Sequence, residues 1–253
     1  MATGGPKKIA LLIGNNAYKR GKVLTCCIND ATALSKALDE IGFTTFPVPD
    51  ADFIKMRHHI LEFSKGILSG DLVVFFFAGH AVQWNDQNFL IPIDDDQIEN
   101  KCSLKQTAFN VQDTLDSMLS KNPETVIFLL DCCREYCVPN EALTGSVTRG
   151  AISEKAGHAR MSEIPNSLIV FACGAGKTAN DSCKGGNHGL FTFYLLKYIK
   201  EENVDIQLIL RKVRNDVYTE NSEQYPISYD GLRKEHISLN AVVKTIGKHI
   251  FLL

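Results

Sequence analysis

The sequence predicts an α/β domain built on a mostly parallel sheet. Short, almost wholly apolar runs (Ile9 to Ile13, Leu72 to Phe77, Val126 to Leu130, Ser167 to Ala172) alternate with stretches of helical period. A strand without polar alternation is one covered on both faces, as in parallel sheets flanked by helices. At 253 residues and 45% hydrophobic content, the chain can bury a sizeable core within one domain.

The elements follow in order. Ile9 to Ile13 closes on Gly14-Asn15-Asn16, a strand and its turn. Asn29 or Asp30 then suits the N-cap of a helix whose apolar positions Ala31, Leu34, Ala37, Leu38 and Ile41 share one face, ended near Gly42. A strand over Thr44 to Val48 leads to a helix from about Asp52 to Ile67, and the Leu72 run ends in Ala78-Gly79-His80. An irregular stretch containing a Leu90 to Ile93 strand precedes a helix from about Val111 to Leu119, and the Val126 run ends in Asp131-Cys132-Cys133-Arg134. From Glu135 to Asn166 the pattern dissolves into Gly, Ser, Thr and charge, a long surface loop of the kind that serves processing or regulation. After it come the strand at Ser167, helices over Leu190 to Ile199 and Ile206 to Tyr218, and a last strand over Ile237 to Val243.

Composition narrows the function. A formal charge of -2 gives no long-range pull on nucleic acid or acidic membranes. No signal-like stretch precedes the first strand and no run reaches transmembrane length, so the expected setting is cytoplasmic. Eight cysteines are then expected to be mostly free thiols. Without Cys-x-x-Cys pairs or a His-Glu-x-x-His helix, no metal site is predicted.

Two adjacent parallel strands ending in His80 and Cys133 would bring an imidazole to a thiol beyond the carboxyl edge of the sheet, where open α/β sheets hold their ligands. The imidazole lowers the thiol's pKa and later delivers the proton to a leaving amine, which is the chemistry of a cysteine–histidine dyad. Cys132 is the rival nucleophile, but alternation along a strand turns it toward packing. Gly174-Ala-Gly-Lys-Thr178 imitates a phosphate loop, yet Phe171 stands where the first glycine is required. Asp94-Asp95-Asp96 lacks the spacing of a calcium loop and reads as a solvated turn.

These residues, in this order, resemble the peptidase domain of the caspase, paracaspase and metacaspase group, with most likeness to the paracaspases. The resemblance runs from Lys8 to about Val243. It is carried by Ile9-Ala-Leu-Leu-Ile-Gly-Asn-Asn-Ala-Tyr18, Asn29-Asp30, Phe77-Ala-Gly-His80, Phe89-Leu-Ile-Pro-Ile-Asp94, Asp131-Cys-Cys-Arg134 and Phe171-Ala-Cys-Gly-Ala175. It implies a six-stranded, mostly parallel sheet between helices, with a large-subunit-like part over about 8–134, a linker over 135–166 and a small-subunit-like part over 167–253. It implies an oxyanion hole from the backbone N–H groups of Cys133 and Ala81, the latter replacing the family's usual glycine. Caspases that cleave after aspartate carry glutamine at the place of Asp131. An acid there, joined by Asp30, implies a pocket for a basic side chain, arginine first and lysine second. A third pocket acid of some paracaspases has no counterpart, Thr178 standing at its place.

The expected activity is therefore a cysteine endopeptidase acting on protein or peptide substrates after arginine or lysine, with no cofactor. Calcium, which some metacaspases need, is not favoured. The resemblance also implies a homodimer paired through Ile237 to Val243, and Arg149, Lys155 and Arg160 are candidate sites of self-cleavage. The alternatives are a catalytically silent assembly module and a calcium-dependent, monomeric metacaspase-like protease.

Overall fold

In the computed structural model, which describes residues 5–84, 87–133, 164–173, 187–242, 244–246 and 249–251, the main sheet has the strand order β2-β1-β3-β6-β7-β8. These strands are β1 (Lys8–Gly14), β2 (Thr44–Pro49), β3 (Leu72–Trp84), β6 (Thr125–Cys133), β7 (Ser167–Phe171) and β8 (Ile227–Asp230). All neighbouring pairs are parallel except β7 with β8. Mixed α/β architecture with a mostly parallel sheet is thus as the sequence predicts. Beyond His80, β3 runs on and pairs with β4 (Gln87–Leu90), which pairs with the short β5 (Phe109–Asn110).

Alternate residues of the central strands feed two cores. Ala10, Leu12, Val74, Phe76, Ile127 and Leu129 pack with α1 (Cys27–Glu40), α5 (Leu190–Tyr198) and α6 (Ile206–Glu220). Leu11, Ile13, Phe75, Phe77, Phe128 and Leu130 pack with α2 (Phe53–Gly66) and α4 (Val111–Leu119) on the other face. Phe75, Phe76 and Phe77 are all fully buried, as three successive positions can be only in a strand covered on both sides. Three helices begin at side-chain caps: Asp52 accepts from the Lys55 N–H at α2, Asn110 from Gln112 and Asp113 at α4, and Asp205 from Gln207 at α6. α3 (Lys101–Thr107) follows a 3-10 turn at Asp95–Gln97.

Three expectations are corrected. The N-cap of α1 is Cys26, so Asp30 lies inside the first turn and is buried. The Cys27 and Ile28 N–H groups are instead accepted by Asn16 Oδ1, from the loop after β1. Ile237 to Val242 is not a strand: Ile237 and Leu239 are buried against the α1/α5/α6 face, and the segment bonds the loops around α6 through Ile206 N–H to Ile237 O and Ile237 N–H to Asp205. Its alternating pattern reflects one-sided burial without a sheet partner. The sixth strand is β8, whose three half-buried residues and exposed Asp230 carry too little pattern to be recognised. β9 (Lys244–Ile246) and β10 (His249–Phe251) form a separate hairpin.

The third correction is Asp95, which is 1% exposed and accepts from the backbone N–H groups of Lys19, Arg20 and Gly21 at 3.0, 2.9 and 2.6 Å. It is an anchor for the loop before α1, not a solvated residue. Among the described residues Cys27, Cys132 and Cys173 are free thiols, in line with the expectation of mostly free thiols, and Cys26 is disulfide-bonded. Arg149, Lys155, Arg160, Thr178, most of the linker and the Gly174–Thr178 stretch lie outside the described residues.

Candidate functional site

The strand order reverses at β1 and β3, which leave β2 on one side and β6 on the other. Such a reversal opens a crevice beyond the carboxyl ends of the strands, and the predicted residues collect there. His80 and Cys133 stand opposite each other in the parallel register of β3 and β6. Cys132, one residue earlier, is buried in the core under α2 and α4.

The half-buried His80 is held from two sides. Its Nε2 lies 2.8 Å from the Lys22 carbonyl oxygen. A carbonyl can only accept, so Nε2 carries the proton and Nδ1 is the nitrogen with the lone pair. The ring also packs on Tyr18, centroids 4.3 Å apart. Lys22 and Tyr18 both belong to the loop after β1, the loop that Asp95 anchors.

Ala81 is 2% exposed and pairs with Leu90 of β4. One step back, the Ile91 N–H donates to the His80 carbonyl at 3.0 Å. Hydrogen-bonded and non-bonded pairs alternate along an antiparallel ladder, so Ala81 occupies a non-bonded pair and its N–H points away from β4, toward the β6 side. An extended strand accommodates alanine without strain, and the replacement of glycine leaves that donor in position.

Asp131 and Asp30 converge from different elements. Asp131 precedes Cys133 by two residues on β6, about 7 Å along the strand, and its Oδ2 accepts from the Thr192 hydroxyl at 2.6 Å and the Thr192 N–H at 3.3 Å. Asp30, 2% exposed, accepts from the Gly189 N–H at 3.2 Å and has His188 Nδ1 at 2.8 Å. Gly189 is the N-cap of α5, so both carboxylates sit at that helix's positive end. Burial, then the neighbouring Asp131, push Asp30 up to about 9, although the Gly189 N–H favours its charged form. Burial also raises Asp131, against the opposing bonds from Thr192, and lowers His188. His188 is thus neutral near pH 7 and no compensating cation. Among the described residues no lysine or arginine pairs with either acid. One carboxylate would satisfy the helix end; a second, desolvated beside it, has no cationic partner among the described residues, and both are raised.

His188, Thr192, Tyr18 and Lys22 were not singled out from the sequence. His188 and Thr192 were findable in principle, since they flank the start of a predicted helix where N–H groups seek acceptors. Lys22 contributes only a backbone carbonyl, which leaves no trace in residue type. Among the described residues there is no group of three or more His, Cys, Asp or Glu able to hold a metal ion, and no helix long and apolar enough to cross a membrane.

Comparison with known proteins agrees with the fold. Residues 7–237 match the family model of the caspase domain. Mucosa-associated lymphoid tissue lymphoma translocation protein 1 of Homo sapiens is 28% identical over 128 residues, 51% of this chain and 15% of that protein. Its Mus musculus homolog is 28% identical over 136 residues, 53% of this chain and 16% of that one. The matched part is thus a small fraction of the length of these relatives. A Geobacter sulfurreducens protein of known structure superposes with a TM-score of 0.64 at 18% identity, covering 94% of this chain and 100% of that one. Caspase-1 from Spodoptera frugiperda superposes with a TM-score of 0.63 at 15% identity, covering 90% and 88%. With the family match spanning most of its length, the chain belongs to the caspase domain family of cysteine peptidases.

Proposed function

We propose that this chain is a cysteine endopeptidase that cleaves after arginine, with lysine as the second choice. The observation that carries the reading is the pair of desolvated carboxylates, Asp30 and Asp131, beside strand ends that bring His80 opposite Cys133. Two acids at one site can hold a planar guanidinium through several charge-assisted bonds, which a lysine ammonium matches less well.

In this reading the Cys133 thiol gives its proton to His80 Nδ1 and the thiolate attacks the carbonyl carbon after the bound arginine. The oxyanion is held by the N–H groups of Cys133 and Ala81. Collapse breaks the C–N bond, and His80 returns the proton to the leaving amine, leaving a thioester. A water then gives a proton to His80 as it attacks the thioester, and the carboxylate product and Cys133 thiol are released. The Lys22 carbonyl stabilises the imidazolium and fixes its ring. No cofactor enters any step.

A homodimer fits β8, the last strand of the main sheet among the described residues, which replaces Ile237 to Val243 as the candidate pairing strand. A cytoplasmic setting agrees with three buried free thiols, while the disulfide at Cys26 stands against it. Self-cleavage at Arg149, Lys155 or Arg160 remains part of the proposal. Labelling by an arginine-directed covalent inhibitor tests the whole reading: one adduct per chain, on Cys133, is expected. Failure to label a dimeric protein would favour a silent assembly module, and labelling only with calcium a metacaspase-like enzyme.

A further inference from the structure

His80 and Ile91 lie directly opposite, one step beyond the Ala81–Leu90 pair, yet only half of their ladder is made. The Ile91 N–H donates to His80 O at 3.0 Å. The His80 N–H and the Ile91 carbonyl are joined through a third group. The Tyr18 hydroxyl fills the gap: it accepts from the His80 N–H at 2.8 Å and donates to Ile91 O at 3.1 Å. A side-chain hydroxyl from another loop is thus inserted between two strands at the residue that carries the imidazole.

We propose that Tyr18 is a positioning residue for the reaction, its hydroxyl wedging β4 away from β3 so that His80 and the Ala81 N–H are held at a fixed setting relative to Cys133. This rests on the peptidase reading above. Three further observations support it. Gly79 leaves the space the hydroxyl needs, since a Cβ there would lie 2.4 Å from Tyr18 Oη. Tyr18 is 4% exposed and sits in a small separate core with Phe89, Ile91, Ile98 and Leu104, so the wedge is rigid. Burial raises its phenol well above the usual value, so the group stays protonated and both accepts and donates across the working pH range. The same ring packs on the imidazole, and the same loop supplies the Lys22 carbonyl. One loop therefore sets both the backbone and the ring of His80.

The test is Tyr18→Phe, which keeps the ring contact and the core packing and removes the bridge. Without it the strands either close to a direct bond or leave the His80 N–H unpaired, and displacement of a reacting group by about 1 Å costs on the order of a hundredfold in rate. The expected result is a fall in kcat of about 10- to 100-fold on an arginyl peptide amide, with KM within about twofold. The His80 ring pKa, read by NMR, and the pH profile of Cys133 alkylation by iodoacetamide should both shift. Unchanged kcat and an unchanged His80 titration would overturn the proposal. Should the wild type cleave nothing, the peptidase reading falls and the His80 titration alone decides the positioning role: a shift in Tyr18→Phe supports it, no shift overturns it. Should the variant not fold, amide exchange in the wild type decides: slow exchange at His80 supports the bridge, and exchange as fast as in an exposed loop overturns it.

Discussion

Asp30 of α1 and Asp131 of β6 reach the same point in space: a Cβ placed on Gly189 would lie 3.2 Å from Asp30 Oδ2 and 3.0 Å from Asp131 Oδ2. Two carboxylates cannot share a desolvated site cheaply, and the raised values of both record the cost. The arrangement is stable because the site can retain a proton.

Asp131→Asn should therefore weaken cleavage after arginine while leaving Cys133 alkylation intact. A hydrogen bond to a charged group contributes about 1.5–3 kcal/mol, so kcat/KM for an arginyl substrate should fall about 10- to 100-fold. Asp30→Asn should weaken it in the same direction. Steady-state kinetics on paired Arg and norleucine substrates checks this, with the loss confined to Arg.

The same pair predicts proton release. Near pH 7 Asp30 holds a proton, because its value is about 9 in the folded protein, against about 3.9 in an unfolded chain. Binding of a guanidinium favours the ionised acid and expels that proton. Affinity for a simple arginine mimic such as benzamidine should rise with pH toward about 9, and calorimetry in buffers of different ionisation enthalpy should count the proton released.

Stability follows the opposite trend. A carboxyl whose folded value is raised stabilises the fold fully below its unfolded pKa, and that contribution is lost as pH rises toward the folded value. The ligand-free protein should lose stability between about pH 4 and 9, and Asp30→Asn should melt higher than wild type by a margin that grows with pH.

Gly189→Ala is a cleaner probe of the pocket than either acid. The N-cap φ of -58° at Gly189 suits alanine, yet the added methyl would press on both carboxylates. The variant should fold with a melting temperature near wild type and lose arginine cleavage, with Cys133 still open to small alkylating agents.

Much of this was legible in the sequence because strong signals coincided. The apolar runs ending at His80 and Cys133 are continuous and bounded, and α2 and α4 start at capping residues within one position of the expected place. β8 was not legible, since four residues after Pro226, three half-buried and one exposed, have no period to distinguish them, and Ile237 to Val242 mimicked a strand because one-sided burial against helices also alternates. Asp30 was read both as a helix cap and as a pocket acid, and only the cap reading fails: Asn16 Oδ1 accepts from the α1 N–H groups and Asp30 meets the N-terminus of α5 instead. Such contacts between distant elements exist only after folding, as does the Tyr18 bridge.

The central claim is that Cys133 and His80 act on a bond placed by Asp30 and Asp131. The most direct measurement is cleavage of fluorogenic peptide amides ending in Arg, Lys or Asp, with and without calcium and a dimer-promoting salt, beside Cys133→Ala. The account predicts cleavage after Arg, less after Lys and none after Asp, abolished by Cys133→Ala. Cleavage after Asp alone, or full activity in Cys133→Ala, would contradict it.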